Sequence, residues 1–186
     1  SDGADGAPAN APPTTATVVL SPERPTTLDD VRVVIVADAA DPDGDAVTYQ
    51  TLWFEDGALR DDLTGDTVPA AETQKGEVWR VQVVANDGLA DGGVAEAEAT
   101  VVNAPPTVVV ALPAEVDTLA DLVAVGEAAD RDGDAVSIAY SWSVDGRVTP
   151  WVDATVPASA TSRGEAWTVT AVANDGESDG PPATAS

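Results

Sequence analysis

The chain has 186 residues, 33 of them acidic and 8 basic, with a formal net charge of −25 and no Cys, Met or His. Without Cys or His it cannot form disulfides, a thiolate or imidazole zinc site or a histidine-dependent triad, and we expect it not to be an enzyme. Eight cations are too few to bind the phosphates of nucleic acid, and no apolar run is long enough to cross a membrane, so neither is an expected partner.

The chain contains one unit twice. The run NAPPT at Asn10–Thr14 returns at Asn103–Thr107, and three further motif pairs follow in the same order. These pairs are DPDGDAV from Asp41 with DRDGDAV from Asp130, GEVW from Gly76 with GEAW from Gly164, and ANDG from Ala85 with ANDG from Ala173. A repeat of this period indicates two domains, residues 10–102 and 103–186. Residues 1–9 resemble the SDGPPA run near the end of the chain, and we interpret them as a linker or the tail of a preceding repeat.

Within each copy the hydrophobic pattern has a period of two, which predicts β-strands with one buried face. The strands predicted for the first copy are Thr15–Ser21, Val31–Asp38, Val47–Glu55, a strand near Thr67, Val78–Ala85 and Val94–Val102. Four tryptophans on these strands and their second-copy counterparts are predicted core residues: Trp53, Trp79, Trp142 and Trp167. The predicted fold is all-β, with two tandem Ig-like antiparallel sandwiches joined by a short Pro-containing linker.

The DxDGD loops crowd carboxylates into a small volume, and the loop after the Val78–Ala85 strand emerges at the same end of a sandwich. Mutual repulsion of these charges is relieved by a hard cation with oxygen ligands, and calcium tolerates the irregular geometry of loops better than magnesium. We therefore predict one or more Ca²⁺ ions per domain. The candidate ligands are Asp41, Asp43, Asp45, Asn86, Asp87, Asp130, Asp132, Asp134, Asn174 and Asp175, with Asp38 and Glu127 as less certain members.

The alternative is that these residues only build tight turns, since Asp, Asn and Gly are common turn formers. Recurrence in both copies favours the metal. Asp91 and Asp179 also recur, but we expect them to shape a turn.

The strings DPDGDAVTY, DRDGDAVSI, VVANDG, AVANDG and NAPPT resemble the bacterial extracellular Ig-like repeats of the PKD and cadherin-like classes. The resemblance covers nearly the whole chain. It implies a secreted or cell-surface segment that serves in an adhesin, stalk, filament or spacer of a secreted enzyme.

We expect a calcium-stiffened stalk or spacer whose partners are neighbouring repeats of the same protein. Two alternatives stay open. The second copy stops before the equivalent of Ala99–Val102, which suggests either an excerpt from a longer array or a fibre subunit that accepts a strand from another copy. Trp151 could instead mark a carbohydrate- or protein-binding module, although a residue covering the rim of the core is the more ordinary interpretation.

Overall fold

A computed structural model describes residues 9–186. The chain divides into two compact units between Val102 and Asn103. The interpretation of residues 1–9 as a linker or repeat tail falls outside the described residues, apart from Ala9. No helix in the described part of the chain is long and apolar enough to span a membrane.

Within residues 9–102, the first unit has seven strands in two antiparallel sheets. They are β1 Thr17–Ser21, β2 Val31–Ala37, β3 Thr48–Glu55, β4 Ala58–Arg60, β5 Thr67–Val68, β6 Val78–Asn86 and β7 Asp91–Thr100, with a 3₁₀ turn at Ala70–Glu72. One sheet has the order β1-β2-β5 and the other β4-β3-β6-β7. The two sheets contribute to one core, so this unit is a sandwich.

The core follows directly from the alternation in the sequence. Along β6, Trp79, Val81, Val83 and Ala85 are buried while their neighbours are half-buried. Trp53 on β3 is also buried, and its indole nitrogen donates a hydrogen bond of 3.1 Å to the Gly65 carbonyl. A buried Trp with its N–H satisfied contributes apolar area without the penalty of an unpaired donor.

The second unit repeats this plan with shorter strands. They are β8 Thr107–Ala111, β9 Leu122–Val123, β10 Val125–Ala129, β11 Ser137–Val144, β12 Arg147–Val148, β13 Thr155–Val156, β14 Trp167–Asn174 and β15 Ala183–Ala185, with a 3₁₀ turn at Ala158–Ala160. The four-stranded sheet β12-β11-β14-β15 matches that of the first unit, whereas the opposite layer is two strand pairs, β10-β8 and β13-β9. The single strand β2 is thus represented by two short strands, β9 and β10.

The all-β class and the tandem sandwiches are confirmed, with predicted strands within about three residues of their observed ends. Six of the seven strands were assigned positions from the sequence. The one that was not is β4, which pairs with β3 across the Asp56-Gly57 turn. Three of the four predicted core tryptophans are fully buried. The exception is Trp167, which is half-buried and packs edge-to-face on Trp142 with 6.2 Å between ring centroids.

Candidate metal centre

The DxDGD loops are built around their first aspartate. Oδ1 of Asp41 accepts hydrogen bonds from the backbone amides of Asp43 (2.8 Å) and Asp45 (3.1 Å). Oδ1 of Asp130 accepts the equivalent bonds from Asp132 (2.9 Å) and Asp134 (3.0 Å). The chain can wrap around this carboxylate because the loop glycines, with φ of 85° and 81°, adopt the left-handed conformation that glycine tolerates best.

The second oxygen of the same aspartate is buried and has no hydrogen-bond partner. Among the described residues, two buried side-chain oxygen or nitrogen atoms have no hydrogen-bond partner. They are Oδ2 of Asp41 and Oδ2 of Asp130. A buried carboxylate oxygen without a donor is costly unless a water molecule or a cation satisfies it. The same atom is unsatisfied in both copies, which indicates a property of the loop itself.

The two loops differ in how closely their carboxylates approach. Ligand oxygens of Asp130, Asp132 and Asp134 all lie within 4.8 Å of one another, and all three residues are half-buried. In residues 9–186 this is the one group of three or more acidic side chains that comes together so closely. In the first unit Asp43 and Asp45 are exposed. The second unit therefore holds the stronger candidate for a metal centre.

The aspartate of the NDG turn after β6 or β14 accepts hydrogen bonds from its own turn and from the NAPPT segment. Oδ1 of Asp87 accepts the backbone amides of Leu89 and Ala90, both at 2.7 Å, while its Oδ2 accepts the side-chain amide of Asn10 at 2.9 Å. In the second unit Oδ1 of Asp175 accepts two backbone amides of its own turn at 2.7 Å. Its Oδ2 accepts the side-chain amide of Asn103 at 2.7 Å. Both aspartates are thus occupied by donors from the protein.

The same NAPPT segment also contacts the acidic loop. The backbone amide of Ala11 donates to Oδ2 of Asp43 at 2.7 Å, and that of Ala104 donates to Oδ2 of Asp132 at 2.8 Å. We call the set of two hydrogen bonds in each unit, one to the DxDGD loop and one to the NDG turn, the NAPPT clasp. It brings the two loops to one short segment and fixes that segment to the unit that follows it.

These hydrogen bonds change the acidity of the turn aspartates. The bond from Asn103 is the largest of the effects that hold the pKa of Asp175 well below its ordinary value; the backbone amides of Ser178 and Glu177 add to it, while burial opposes them. The bond from Asn10, followed by the amides of Ala90 and Leu89, lowers the pKa of Asp87. Each donor favours the ionised carboxylate, so both aspartates are poised to remain charged.

The two asparagines predicted as ligands form hydrogen bonds within their own turns. The side chains of Asn86 and Asn174 are engaged within their turns: each amide donates to the carboxylate of Asp91 or Asp179, and each Oδ1 accepts from a glycine amide. The turn role expected for these two aspartates is therefore confirmed.

Neither of the less certain ligands belongs to the three-carboxylate group. Oδ1 of Asp38 accepts the Tyr49 hydroxyl at 3.2 Å. Glu127 is exposed on β10, opposite Val109.

The residues that sequence reasoning missed are those of the NAPPT segment and the glycines beside it. A Cβ on Gly92 would lie 2.5 Å from the Pro13 carbonyl oxygen, and one on Gly180 would collide with the Pro106 carbonyl. These glycines are needed because another stretch of backbone passes too close for a side chain. The recurrence of NAPPT in both copies was the available signal, but it was interpreted only as a linker.

Trp151 is not an isolated surface aromatic. It is half-buried and packs against the core formed by Leu122, Trp142, Val156 and Val169. The corresponding residue of the first unit, Leu63, packs against its core in the same way. This agrees with the interpretation of Trp151 as a rim residue.

No protein-family model matches this chain, and no curated protein matches it. Among solved structures, it is similar to the FN1–FN3 domains of chicken CNTN1, with 12% identity and a TM-score of 0.34 over 94% of this chain and 67% of that chain. It is also similar to three N-terminal domains of the bacteriophage RB49 outer capsid protein Hoc, with 15% identity and a TM-score of 0.38 over 92% of this chain and 58% of that one.

A third similarity is to the four N-terminal Ig domains of Dscam1 isoform 4.44, with 14% identity and a TM-score of 0.31 over 95% of this chain and 43% of that chain. The chain therefore spans less than two thirds of the second and third structures. The assignment of the fold rests on the strand pairing and the cores described above.

Proposed function

We propose that this chain is a non-enzymatic structural repeat segment, a stalk or spacer of a secreted or surface-displayed protein, stiffened by calcium. The observation that carries the proposal is the NAPPT clasp, present with the same atoms in both units. Within each unit, the segment that leads into the sandwich is hydrogen-bonded to two loops of that sandwich, so it is ordered. Short ordered connections of this kind suit a spacer.

Calcium completes this arrangement in the second unit. The oxygens of Asp130, Asp132 and Asp134 within 4.8 Å supply three hard anionic ligands, and the unpartnered Oδ2 of Asp130 supplies an atom that needs a positive partner. A carboxylate that already accepts a backbone amide retains further lone pairs for a cation. Calcium takes six to eight oxygens, so backbone carbonyls or water would provide the rest.

Electrostatics support the same assignment. With a net charge of −25, the chain has few cations of its own to neutralise a cluster of three carboxylates. Carboxylates held this close repel one another, whereas a bound divalent ion attracts all three of them. Because Ala104 donates to Asp132, ordering the cluster also orders the start of the unit.

Thermal unfolding in millimolar calcium, compared with excess chelator and with magnesium, tests the metal. At about one hundred times its dissociation constant, an ion adds roughly 2.7 kcal/mol to the free energy of unfolding. We expect a calcium-specific rise in the unfolding temperature. Equal curves with calcium and chelator would return the DxDGD loops to ordinary acidic turns.

Small-angle scattering in the same two conditions tests the stiffening. We expect a narrower distribution of end-to-end distances with calcium than with chelator. If calcium raised the unfolding temperature but left the scattering unchanged, the ion would stabilise a single unit and the proposed stiffening would be wrong.

A further inference from the structure

One edge of the four-stranded sheet of the first unit is only partly covered. On one side, β3 pairs with β6 along its whole length, from residue 48 to residue 55. On its other side, β3 pairs with β4 over residues 53–55 only. Among the described residues, no strand pairs with residues 48–52 on that side. This part of β3 is therefore a free sheet edge.

The hydrogen-bond ladder determines which backbone groups face this edge. Backbone groups of successive residues in a strand point alternately to its two sides. The amide of Asp56 donates to the Val78 carbonyl at 2.9 Å, so the even-numbered residues of β3 direct their N–H and C=O groups towards β6. The odd-numbered residues point the opposite way, where Trp53 pairs with β4. Tyr49 and Thr51 therefore present their amides and carbonyls at the free edge.

A groove of about 390 Å³ lies beside this edge. Its lining includes Tyr49 and Thr51 of β3 and, from the connection between β4 and β5, Leu63. The buried side chain of Trp53 shows that odd-numbered residues of β3 face the core. An added strand that pairs with Tyr49 and Thr51 would therefore direct the side chains opposite them inward, beside Leu63.

The two units differ at this edge in the size of their side chains. Tyr140 and Trp151 of the second unit correspond to Thr51 and Leu63 of the first. Both aromatic side chains pack against the core of their own unit. The first unit has a smaller residue at each of these positions, and a groove lies beside them. A Trp in place of Leu63 is thus compatible with the fold of the repeat and adds bulk at the groove.

The charges around the groove favour a cationic occupant. Asp61 lines the groove and is exposed. The one guanidinium in the lining, that of Arg60, is already held by three carboxylates: Glu55 at 2.6 Å, Asp62 at 2.8 Å and Glu72 at 3.0 Å. Carboxylates therefore outnumber the cation here, and a positively charged partner is attracted.

We propose that the free edge of β3 is a strand-acceptor site for an extended basic peptide segment of another protein. The segment runs antiparallel to β3, pairs its backbone with Tyr49 and Thr51, and places small apolar side chains inward beside Leu63. Its intervening residues are Lys or Arg, whose long side chains reach the carboxylates near the groove. A second copy of this chain is disfavoured as the occupant, because each copy carries a net charge of −25.

The test uses the full chain in excess chelator, which separates it from the calcium site, at about 0.15 M salt to screen non-specific attraction. The probe is the capped peptide Lys-Val-Lys-Val-Lys. Its matched control, Lys-Pro-Lys-Pro-Lys, keeps the charge but lacks the two backbone donors that would pair with β3. We expect saturating probe to slow hydrogen exchange at the amides of Tyr49 and Thr51 about tenfold or more, and the control to leave both unchanged.

Two variants of the chain test the groove. Leu63→Trp introduces the residue that the second unit carries at this position, and it should weaken binding of the probe roughly tenfold, the effect of losing one well-packed contact. Leu89→Trp adds the same side chain at a position that is 77% exposed and outside the groove lining. It should bind the probe as the original chain does. Fluorescence anisotropy of a labelled probe measures both affinities.

Three results would overturn the proposal. Equal affinity for the probe and its proline control, or no binding of either, would mean that β3 accepts no strand. Binding without a change in exchange at Tyr49 and Thr51 would place the peptide elsewhere on the acidic surface. Sedimentation showing a dimer that the probe dissociates would make a second copy the occupant. None of these results bears on the calcium site, whose test compares calcium with chelator in the absence of peptide.

Discussion

The side-chain amide of Asn103 donates a 2.7 Å hydrogen bond to the Asp175 carboxylate, joining the first residues of the second unit to a turn 72 residues later. Asn10 and Asp87 form the same contact in the first unit at 2.9 Å. Because equivalent residues form this long-range bond in both units, it is a structural feature of the repeat. It also explains why the asparagine of NAPPT recurs.

Replacing Asn103 with Ala removes this donor and lets the pKa of Asp175 rise towards its ordinary value near 3.9. A carboxyl group whose pKa is depressed in the folded state stabilises the protein above its unfolded pKa and loses that contribution as the pH falls through the folded pKa. We expect Asn103→Ala to lower the unfolding midpoint by several degrees at pH 7. The difference from the original chain should shrink at pH 3.

Thermal unfolding at the two pH values measures this effect, with Thr184→Ala, an exposed residue of β15, as the control. A deficit of the same size at pH 7 and pH 3 would contradict the charge-assisted character of the bond, and would assign the loss to packing.

The unpartnered oxygen of Asp130 provides a sharp test of the metal. Asp130→Asn keeps an oxygen that can accept the amides of Asp132 and Asp134, but it replaces the unpartnered oxygen with an NH₂ group that cannot bind a cation. We expect this variant to be at least as stable as the original chain in chelator, because it removes one charge from the cluster. It should lose most of the calcium-dependent gain, about 2.7 kcal/mol at a hundredfold excess over the dissociation constant.

Asp179→Asn is the matched control, because Asp179 lies in the turn and pairs with Asn174. It should retain the full response to calcium. If calcium raised the free energy of unfolding of Asp130→Asn and Asp179→Asn by the same amount, the DxDGD loop would be excluded as the calcium-binding site.

Gly180 tests the close approach of the NAPPT segment to the rest of its unit. A methyl group at this position would collide with the Pro106 carbonyl, and both sides of the contact are backbone that cannot rotate away. We expect Gly180→Ala to destabilise the second unit by about 1–3 kcal/mol, the usual cost of overpacking. Denaturant unfolding checks this; a loss no larger than that of Thr184→Ala would mean that the segment shifts without cost.

Replacing a tryptophan of the second unit with Ala should cost more stability the more deeply that tryptophan is buried. Trp142 is 1% exposed and its indole N–H bonds the Asp153 carbonyl at 2.8 Å, so Trp142→Ala should cost about 3–5 kcal/mol. Trp151 is half-buried at the rim, and its replacement by Ala should cost less, about 1–2 kcal/mol. Unfolding free energies measure both; an unchanged stability for Trp151→Ala would revive the idea of an exposed binding platform.

The strands could be predicted because their information is local. The alternation of Trp79, Val81, Val83 and Ala85 with more polar neighbours dictates which face is buried, and the structure buries these four residues. The division of β2 into β9 and β10 in the second unit could not be predicted in the same way. In the first unit β2 pairs with both β1 and β5 as one strand, whereas in the second unit β10 pairs with β8 and β9 with β13.

The candidate site was predictable only in part, since its chemistry is local but its geometry is not. The three aspartates of each DxDGD loop could be identified as candidate ligands from their spacing and recurrence. That its Oδ2 lacks a partner, and that Asn86 turns its side chain to Asp91, depends on where each side chain finds its donor. Both asparagines of the NDG turns resemble ligands in sequence and act as turn residues in space.

By itself, the sequence determined the two-fold repeat, the all-β class, the core tryptophans and the acidic character of the loops, because periodicity and composition act over a few neighbouring residues. The tertiary structure alone decided that Asn10 and Asn103 hydrogen-bond to turns of their own units and that three carboxylates converge around Asp130 and not around Asp41. It also decided that Trp167 is half-buried although its counterpart Trp79 is fully buried. The two asparagine contacts join residues that are distant along the chain and meet only in the folded unit. The three carboxylates are close in sequence, but the path of their loop in the folded unit decides how closely they approach.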